Sequence, residues 1–93
     1  MKEILKIRQE IDKIDDTILK LLSKRFQRAH KIGLIKFKLK LPLKQNNRIK
    51  EMQKLWIKKA KKLKLSKKFI TNLFHVIHQE SLDQQKEKIK RKG

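Results

Sequence analysis

The chain has 93 residues and no cysteine, and its 28 Lys and Arg residues against 9 Asp and Glu residues give a formal net charge of +19. A domain of this length buries only about 60 to 65% of the surface that its unfolded chain exposes, and without cysteine neither a disulfide nor a thiolate metal site can supplement the core. A disulfide-stabilised secreted domain is therefore excluded. The charge favours an anionic partner, which could be a nucleic acid, a membrane surface or a small molecule.

The N-terminal segment predicts a soluble, cytoplasmic protein. Residues 1–6 contain no apolar stretch of the roughly 7 to 15 residues that a secretory signal requires, and no segment approaches the roughly 20 apolar residues of a membrane span. His75 and His78 stand three residues apart, but no third ligand accompanies them, so neither a metal nor a cofactor is expected. We expect residues 1–93 to form a single helical domain.

The first half of the chain carries apolar side chains at alternating steps of three and four residues, at Ile4, Ile7, Ile11, Ile14, Ile18 and Leu21. This spacing predicts a helix with one packed face. Pro42 ends it, because proline cannot continue a helix and biases the preceding residue away from helical geometry. Helix one, predicted over residues 2–40, would be roughly 57 Å long, whereas a compact domain of this size is about 32 Å across.

Two shorter helices are predicted after the turn, over residues 46–63 and 67–88, with Ser66 as the N-cap of the third. They are too short to cover helix one, so we expect a second copy of the chain to pack against it in an intertwined homodimer. Trp56 is expected to anchor helix two against helix one. The charged tail, residues 86–93, is expected to fray.

Polar residues occupy helix faces that should be buried. Arg25 lies in line with the isoleucines of helix one, where a buried charge without a partner would cost several kcal/mol. Its partner could be a carboxylate such as Asp15 or Asp16, or a bound anion. Lys36 lies eleven residues further, about 16 Å along the same face, so the two long side chains could converge on one ligand.

Helix three shows the same anomaly at its end, where Ser81 and Gln85 continue an apolar stripe at a spacing of four residues. Either a helix end that turns polar or a ligand-binding face explains this pattern. Arg48 opens helix two and could be a solvated cation or a ligand-binding one. Arg8 precedes Arg25 by 17 residues, about 25 Å along the helix, so it can reach the same small ligand only from a partner subunit.

Together these residues and their spacing resemble the all-helical chorismate mutases. The similarity covers residues 4 to about 85. It rests on Ile7-Arg8, Leu21-Leu22-Ser23-Lys24-Arg25, Gly33-Leu34-Ile35-Lys36, Arg48 and Glu80-Ser81-Leu82-Asp83-Gln84-Gln85. The resemblance implies an all-α intertwined homodimer. It also implies an enzyme that rearranges chorismate to prephenate in aromatic amino acid biosynthesis without a cofactor.

The resemblance also implies roles for individual residues. Arg25 and the partner subunit's Arg8 would hold the two carboxylates of the substrate, and Lys36 and Gln85 would donate hydrogen bonds to its ether oxygen. A pericyclic rearrangement needs neither a nucleophile nor a general base. Donors aimed at the developing negative charge would therefore suffice for catalysis.

Ser81 and Arg48 would assist on the ring side of the substrate. Two further positions depart from the family's pattern: Ile49 stands where a glutamate usually reaches the substrate hydroxyl, and Gln45 where an aspartate is often found. The related isochorismate pyruvate lyases, which release salicylate and pyruvate, look apolar at the position of Ile49. This lyase activity is the alternative to the mutase.

A further alternative is a non-catalytic, basic helical dimer that binds nucleic acid through its lysines. Proteins that bind single strands place aromatic rings where bases can stack on them. The aromatic residues here mostly fall on apolar stripes and are expected in the core: Phe26, Phe37, Trp56, Phe69 and Phe74. Nucleic acid is therefore the less favoured partner, and a dianionic small molecule the more favoured one.

Overall fold

A computed structural model of the chain contains three α-helices: α1 (Lys2–Leu39), α2 (Asn46–Lys62) and α3 (Lys67–Lys92). The structure describes the backbone of residues 1–92 and the side chains of residues 1–86. No strand occurs in that part of the chain, which confirms the predicted all-α fold. None of its helices is both long enough and apolar enough to cross a membrane.

The predicted bounds of α1 and α2 are confirmed to within one residue, but α3 ends at Lys92 instead of residue 88. The sequence after residue 86 is mostly charged. Its lysine, glutamate and arginine residues are good helix formers, so the helix continues where the apolar stripe ends. The expectation of a frayed tail over residues 86–93 falls largely on residues 87–93, which lie outside the described side chains. It stays a prediction.

Local hydrogen bonds set the helix ends that shape the site. Lys40 adopts a left-handed conformation (φ 56°, ψ 38°) and its N–H donates to the carbonyl oxygens of Lys36 and Phe37. This cap satisfies carbonyls at the helix end and turns the chain toward α2. At the start of α3, the backbone N–H of Phe69 donates to Ser66 Oγ at 3.0 Å, which confirms Ser66 as the N-cap.

The helix that organises the packing is α3, because it contacts both α1 and α2, whereas those two helices make no close backbone approach to each other. Trp56 packs edge-on against Phe74 of α3, with ring centroids 5.3 Å apart and an interplanar angle of 79°. The expectation that Trp56 anchors α2 against α1 is therefore wrong. Phe74, only 1% exposed, is the most deeply buried aromatic ring, and α2 docks on it.

The N-terminal half of α1 has no packing partner in one chain. The isoleucines of its apolar face, Ile4, Ile7, Ile11, Ile14 and Ile18, are each 48–58% exposed. The molecule measures 56 × 28 × 14 Å, so it is as long as α1 and little more than one helix thick. The buried core lies instead where α3 contacts the C-terminal half of α1 and where α2 packs on α3.

Gly33 allows α1 and α3 to approach closely. A Cβ at residue 33 would lie 2.6 Å from Gln85 Cα and 2.8 Å from Gln85 O, and both are backbone atoms that can move only with α3. We expect Gly33→Ala to lower the free energy of unfolding by about 1 to 3 kcal/mol through overpacking. Urea denaturation at fixed protein concentration measures this loss.

The control for Gly33→Ala is Lys31→Ala, at an exposed position of the same helix, which we expect to change stability by no more than about 0.5 kcal/mol. Glycine inside a helix is ordinarily less stable than alanine by roughly 0.5 to 1 kcal/mol. A stabilising Gly33→Ala substitution would therefore show that the close contact with Gln85 does not constrain the fold.

Candidate active site

A cavity of about 410 Å³ lies where all three helices and the α1–α2 turn meet. Its lining residues are Arg25, Arg28, Ala29, Ile32 and Lys36 of α1, Leu43 and Gln45 of the turn, Arg48, Ile49 and Met52 of α2, and His78, Ser81, Leu82 and Gln85 of α3. Four of these side chains are cationic and none is a carboxylate. The cavity has the size of a small-molecule site and the charge of a site for an anion.

Arg25 is held by a neutral partner. Its Nη1 donates to Ser81 Oγ, and the Ser81 hydroxyl donates in turn to the Ile77 carbonyl oxygen at 3.0 Å. Burial lowers the pKa of Arg25, but a guanidinium stays protonated in proteins. Among the described residues its partner is Ser81 and not Asp15 or Asp16, so its charge is left for a bound anion.

Lys36 and Gln85, the two predicted catalytic residues, lie against each other. Lys36 Nζ donates to Gln85 Oε1 at 3.0 Å and to the Leu43 carbonyl oxygen at 2.7 Å, and burial lowers the pKa of Lys36. Because an ammonium can only donate, Gln85 Oε1 accepts and the Gln85 amide presents its NH₂ as a donor. Two sets of N–H donors therefore meet at one end of the cavity.

The remaining predicted residues of the same chain also line this cavity. Arg48 and Gln45 are exposed, and Ile49 is half-buried. Arg48 lies in the first turn of α2 and adds a cation of that helix to the cavity lining. Ile49 contributes apolar surface to the cavity wall. The structure thus brings together seven of the eight predicted site residues, leaving Arg8.

Arg8 is not among the residues that line the cavity. It is exposed on the uncovered half of α1, about 25 Å along the helix from Arg25. This position agrees with the expectation that it cannot reach the cavity of its own chain. Its predicted contribution to a partner's site stays a prediction.

Two polar lining residues, Arg28 and His78, were not predicted as part of the site. Arg28 follows Arg25 by three residues and so shares its helix face, a spacing that could have revealed it. His78 lies between Phe74 and Ser81 at steps of four and three residues, so it belongs to the stripe of α3 that ends in the site. From the sequence, His78 was considered only as half of a histidine pair.

In the described residues no group of three or more His, Cys, Asp or Glu side chains is placed to hold a metal ion.

Comparison with known proteins identifies the family. Residues 7–86 match the sequence model for chorismate mutase type II. The chain belongs to the chorismate mutase type II family. The matched region contains all eight predicted site residues, from Arg8 to Gln85. The resemblance predicted from the sequence is confirmed.

Two curated relatives of this chorismate mutase type II chain are bifunctional chorismate mutase/prephenate dehydratases. The protein of Aquifex aeolicus is 44% identical over 52 residues, which are 56% of this chain and 14% of the relative. That of Buchnera aphidicola subsp. Acyrthosiphon pisum is 35% identical over 88 residues, which are 95% of this chain and 23% of the relative. The chain thus spans less than a quarter of the length of these relatives.

A second cavity, of about 920 Å³, adjoins the first in this chorismate mutase fold, and Ile49, His78 and Leu82 line both. Its other lining includes the apolar side chains Leu22, Phe26, Leu73, Val76 and Ile77. It lacks the group of arginines that marks the first cavity. The cationic cavity is therefore the candidate active site, and the three shared residues form the wall that separates it from the apolar cavity.

Proposed function

We propose that this chain is a chorismate mutase that converts chorismate to prephenate for aromatic amino acid biosynthesis. Membership in the family supports this activity. The observation that carries it is the placement of the Lys36–Gln85 donor pair and the Arg25 guanidinium in one cavity. The cytoplasmic location expected from the sequence is part of the same proposal.

The geometry suits a reaction that moves electrons without moving protons. In the rearrangement the ether C–O bond breaks while a C–C bond forms between the side chain and the ring, so the protein supplies no base or nucleophile. Arg25 binds a carboxylate and holds the substrate in its compact conformer. Lys36 and Gln85 donate hydrogen bonds to the ether oxygen as negative charge develops there. Because Gln85 does not titrate, its contribution is independent of pH near neutrality.

The test is a paired assay of the purified chain. Chorismate consumption with formation of prephenate supports the mutase. The lyase is the second candidate because Ile49 lines the cavity with apolar surface, and it would instead give salicylate and pyruvate from isochorismate. If neither reaction occurs, the enzymatic proposal fails. Salt-dependent retention of DNA would then support a nucleic-acid-binding dimer.

The proposal includes an intertwined homodimer in which α1 of one chain packs against a second copy. Two observations support it: the isoleucine face of α1 is half exposed along its N-terminal half, and a molecule 14 Å thick cannot cover that face itself. A partner crossing there would also bring its own Arg8 toward the cavity. The active site would then be complete only in the dimer.

Ile11→Glu is expected to convert the dimer to a monomer. Ile11 lies in the middle of the exposed isoleucine face, and a carboxylate without a partner in a buried interface costs several kcal/mol. Sedimentation velocity measures the change in mass. The control is Gln9→Glu, which changes the charge equally but on the opposite face of the helix. An Ile11→Glu variant that remains dimeric would place the interface elsewhere.

A further inference from the structure

His78 lines the cationic cavity, and the proposed mechanism does not use its imidazole. Its Nε2 is buried and has no hydrogen-bond partner among the described residues. A buried polar atom without a partner is destabilising, and most such atoms in folded proteins are satisfied. An imidazole that lines a ligand cavity and keeps an unsatisfied nitrogen is therefore expected to bind a group of the ligand.

Packing holds the imidazole of His78 in a defined orientation. The ring stacks on Phe74 with centroids 5.7 Å apart and planes 3° from parallel. Phe74 is almost completely buried and is contacted edge-on by Trp56, so this platform is rigid. Packing against Phe74 therefore sets the orientation of the His78 ring, and no hydrogen bond of Nε2 within the protein does so.

The surroundings of His78 keep it neutral near pH 7. Burial lowers the pKa of His78, and the positive charges of Arg25, Lys44 and Lys36, together with His75, lower it further. Arg48 adds another cation from α2 to the cavity that His78 lines. A neutral imidazole nitrogen can donate or accept, depending on the tautomer, so it suits an uncharged hydroxyl. The carboxylates of the ligand have the arginines as better partners.

We propose that His78 contacts the substrate, and that its imidazole forms a hydrogen bond with the ring hydroxyl of the bound dianion. The inference rests on the proposed function. Ile49 lines the same cavity and, together with His78, the neighbouring apolar one, so the two residues share a wall. The side chain of Ile49 has no polar atom and cannot bind a hydroxyl, whereas His78 on that wall can. His78 would thus determine specificity for a hydroxylated ring.

The experiment compares chorismate with its 4-deoxy analogue, which keeps both carboxylates and the reacting ether but lacks the ring hydroxyl. In the wild-type protein we expect kcat/KM to be roughly tenfold higher for chorismate, the value of about one hydrogen bond. His78→Leu should lower kcat/KM for chorismate roughly tenfold and leave the value for the analogue unchanged. His78→Gln, which keeps a neutral hydrogen-bonding group, should retain much of the preference.

His75→Leu is the matched control, because His75 lies three residues earlier on α3, is exposed and lines the apolar cavity instead. It should leave the chorismate preference unchanged. If His78→Leu lowers kcat/KM equally for both compounds, His78 only packs against Phe74 and the inference is overturned.

Calorimetric binding of both compounds separates this inference from the proposed function. A wild-type protein that binds chorismate more tightly than the analogue but forms no prephenate would contradict the mutase activity and support the role of His78. Equal binding of the two compounds would overturn that role, whether or not turnover occurs. A protein that binds neither compound would contradict both proposals.

Discussion

Arg25→Ala should lower kcat/KM for chorismate by roughly 100-fold to 1000-fold, the largest effect we expect from a single substitution. Arg25 is half-buried in the cavity and its hydrogen-bond partner in the protein, Ser81, is neutral. A bound carboxylate would therefore be its main electrostatic partner. Truncating one member of a desolvated, hydrogen-bonded charge pair costs roughly 2 to 5 kcal/mol, and the expected loss, about 3 to 4 kcal/mol, lies in the middle of that interval.

Stability measurements distinguish this loss from unfolding. The desolvation of Arg25 in the unliganded chain is not offset by a carboxylate, so Arg25→Ala should leave the free energy of unfolding nearly unchanged. Arg25→Lys keeps the charge but loses the planar fork, so we expect it to recover only part of the activity. An Arg25→Ala enzyme within threefold of wild type would show that Arg25 does not bind the substrate.

Mixing two inactive variants should restore activity if Arg8 acts across the dimer. Arg8→Ala removes the partner's contribution to a site, and Arg25→Ala removes the contribution of the chain that builds the cavity. In a heterodimer of the two variants, one site receives both lesions and the other receives neither. Random association makes half of the dimers heterodimers with one intact site each, so we expect about a quarter of wild-type activity. Steady-state assays after co-refolding measure the recovery.

The control mixes Arg25→Ala with Lys36→Ala. Both residues line the cavity of their own chain, so every site of that heterodimer carries one lesion and the mixture should stay inactive. If the Arg8 mixture also stays inactive although mass spectrometry confirms subunit exchange, Arg8 does not complement across the interface. The proposed placement of Arg8 would then be wrong.

The helices could be predicted from the sequence because their signals are local. The three-and-four spacing of isoleucines, the chain reversal before Pro42 and the hydroxyl of Ser66 each act within a few residues of the helix end that they determine. The spacing also placed Arg25 and Lys36 on one face, and the structure confirms that both line one cavity. The sequence also predicted that α1 is longer than a compact domain of this size, because the length of a helix follows from its number of residues.

The contacts of Trp56 and His78 could not be predicted in the same way. Periodicity places each of these residues on the apolar face of its helix. It does not show which other helix packs on that face, because this depends on how α3 docks. The close approach at Gly33 and the fully buried ring of Phe74 set that docking. Gly33 meets the backbone of Gln85, 52 residues later in the sequence, and Phe74 packs against Trp56, 18 residues earlier. Docking then placed Trp56 on α3 and His78 in the cavity wall.

Residue order alone was enough to establish an all-helical chain, its charge, the rod-like α1 and a set of polar residues too costly to bury without a partner. These properties arise from backbone hydrogen bonding and side-chain periodicity, which are short-range. Tertiary packing was needed to pair Arg25 with Ser81 and Lys36 with Gln85, and to bring His78, whose buried Nε2 has no partner among the described residues, into the cavity wall. Hydrogen bonds between side chains 49 and 56 residues apart depend on sub-ångström docking of α3 against α1, which periodicity does not encode.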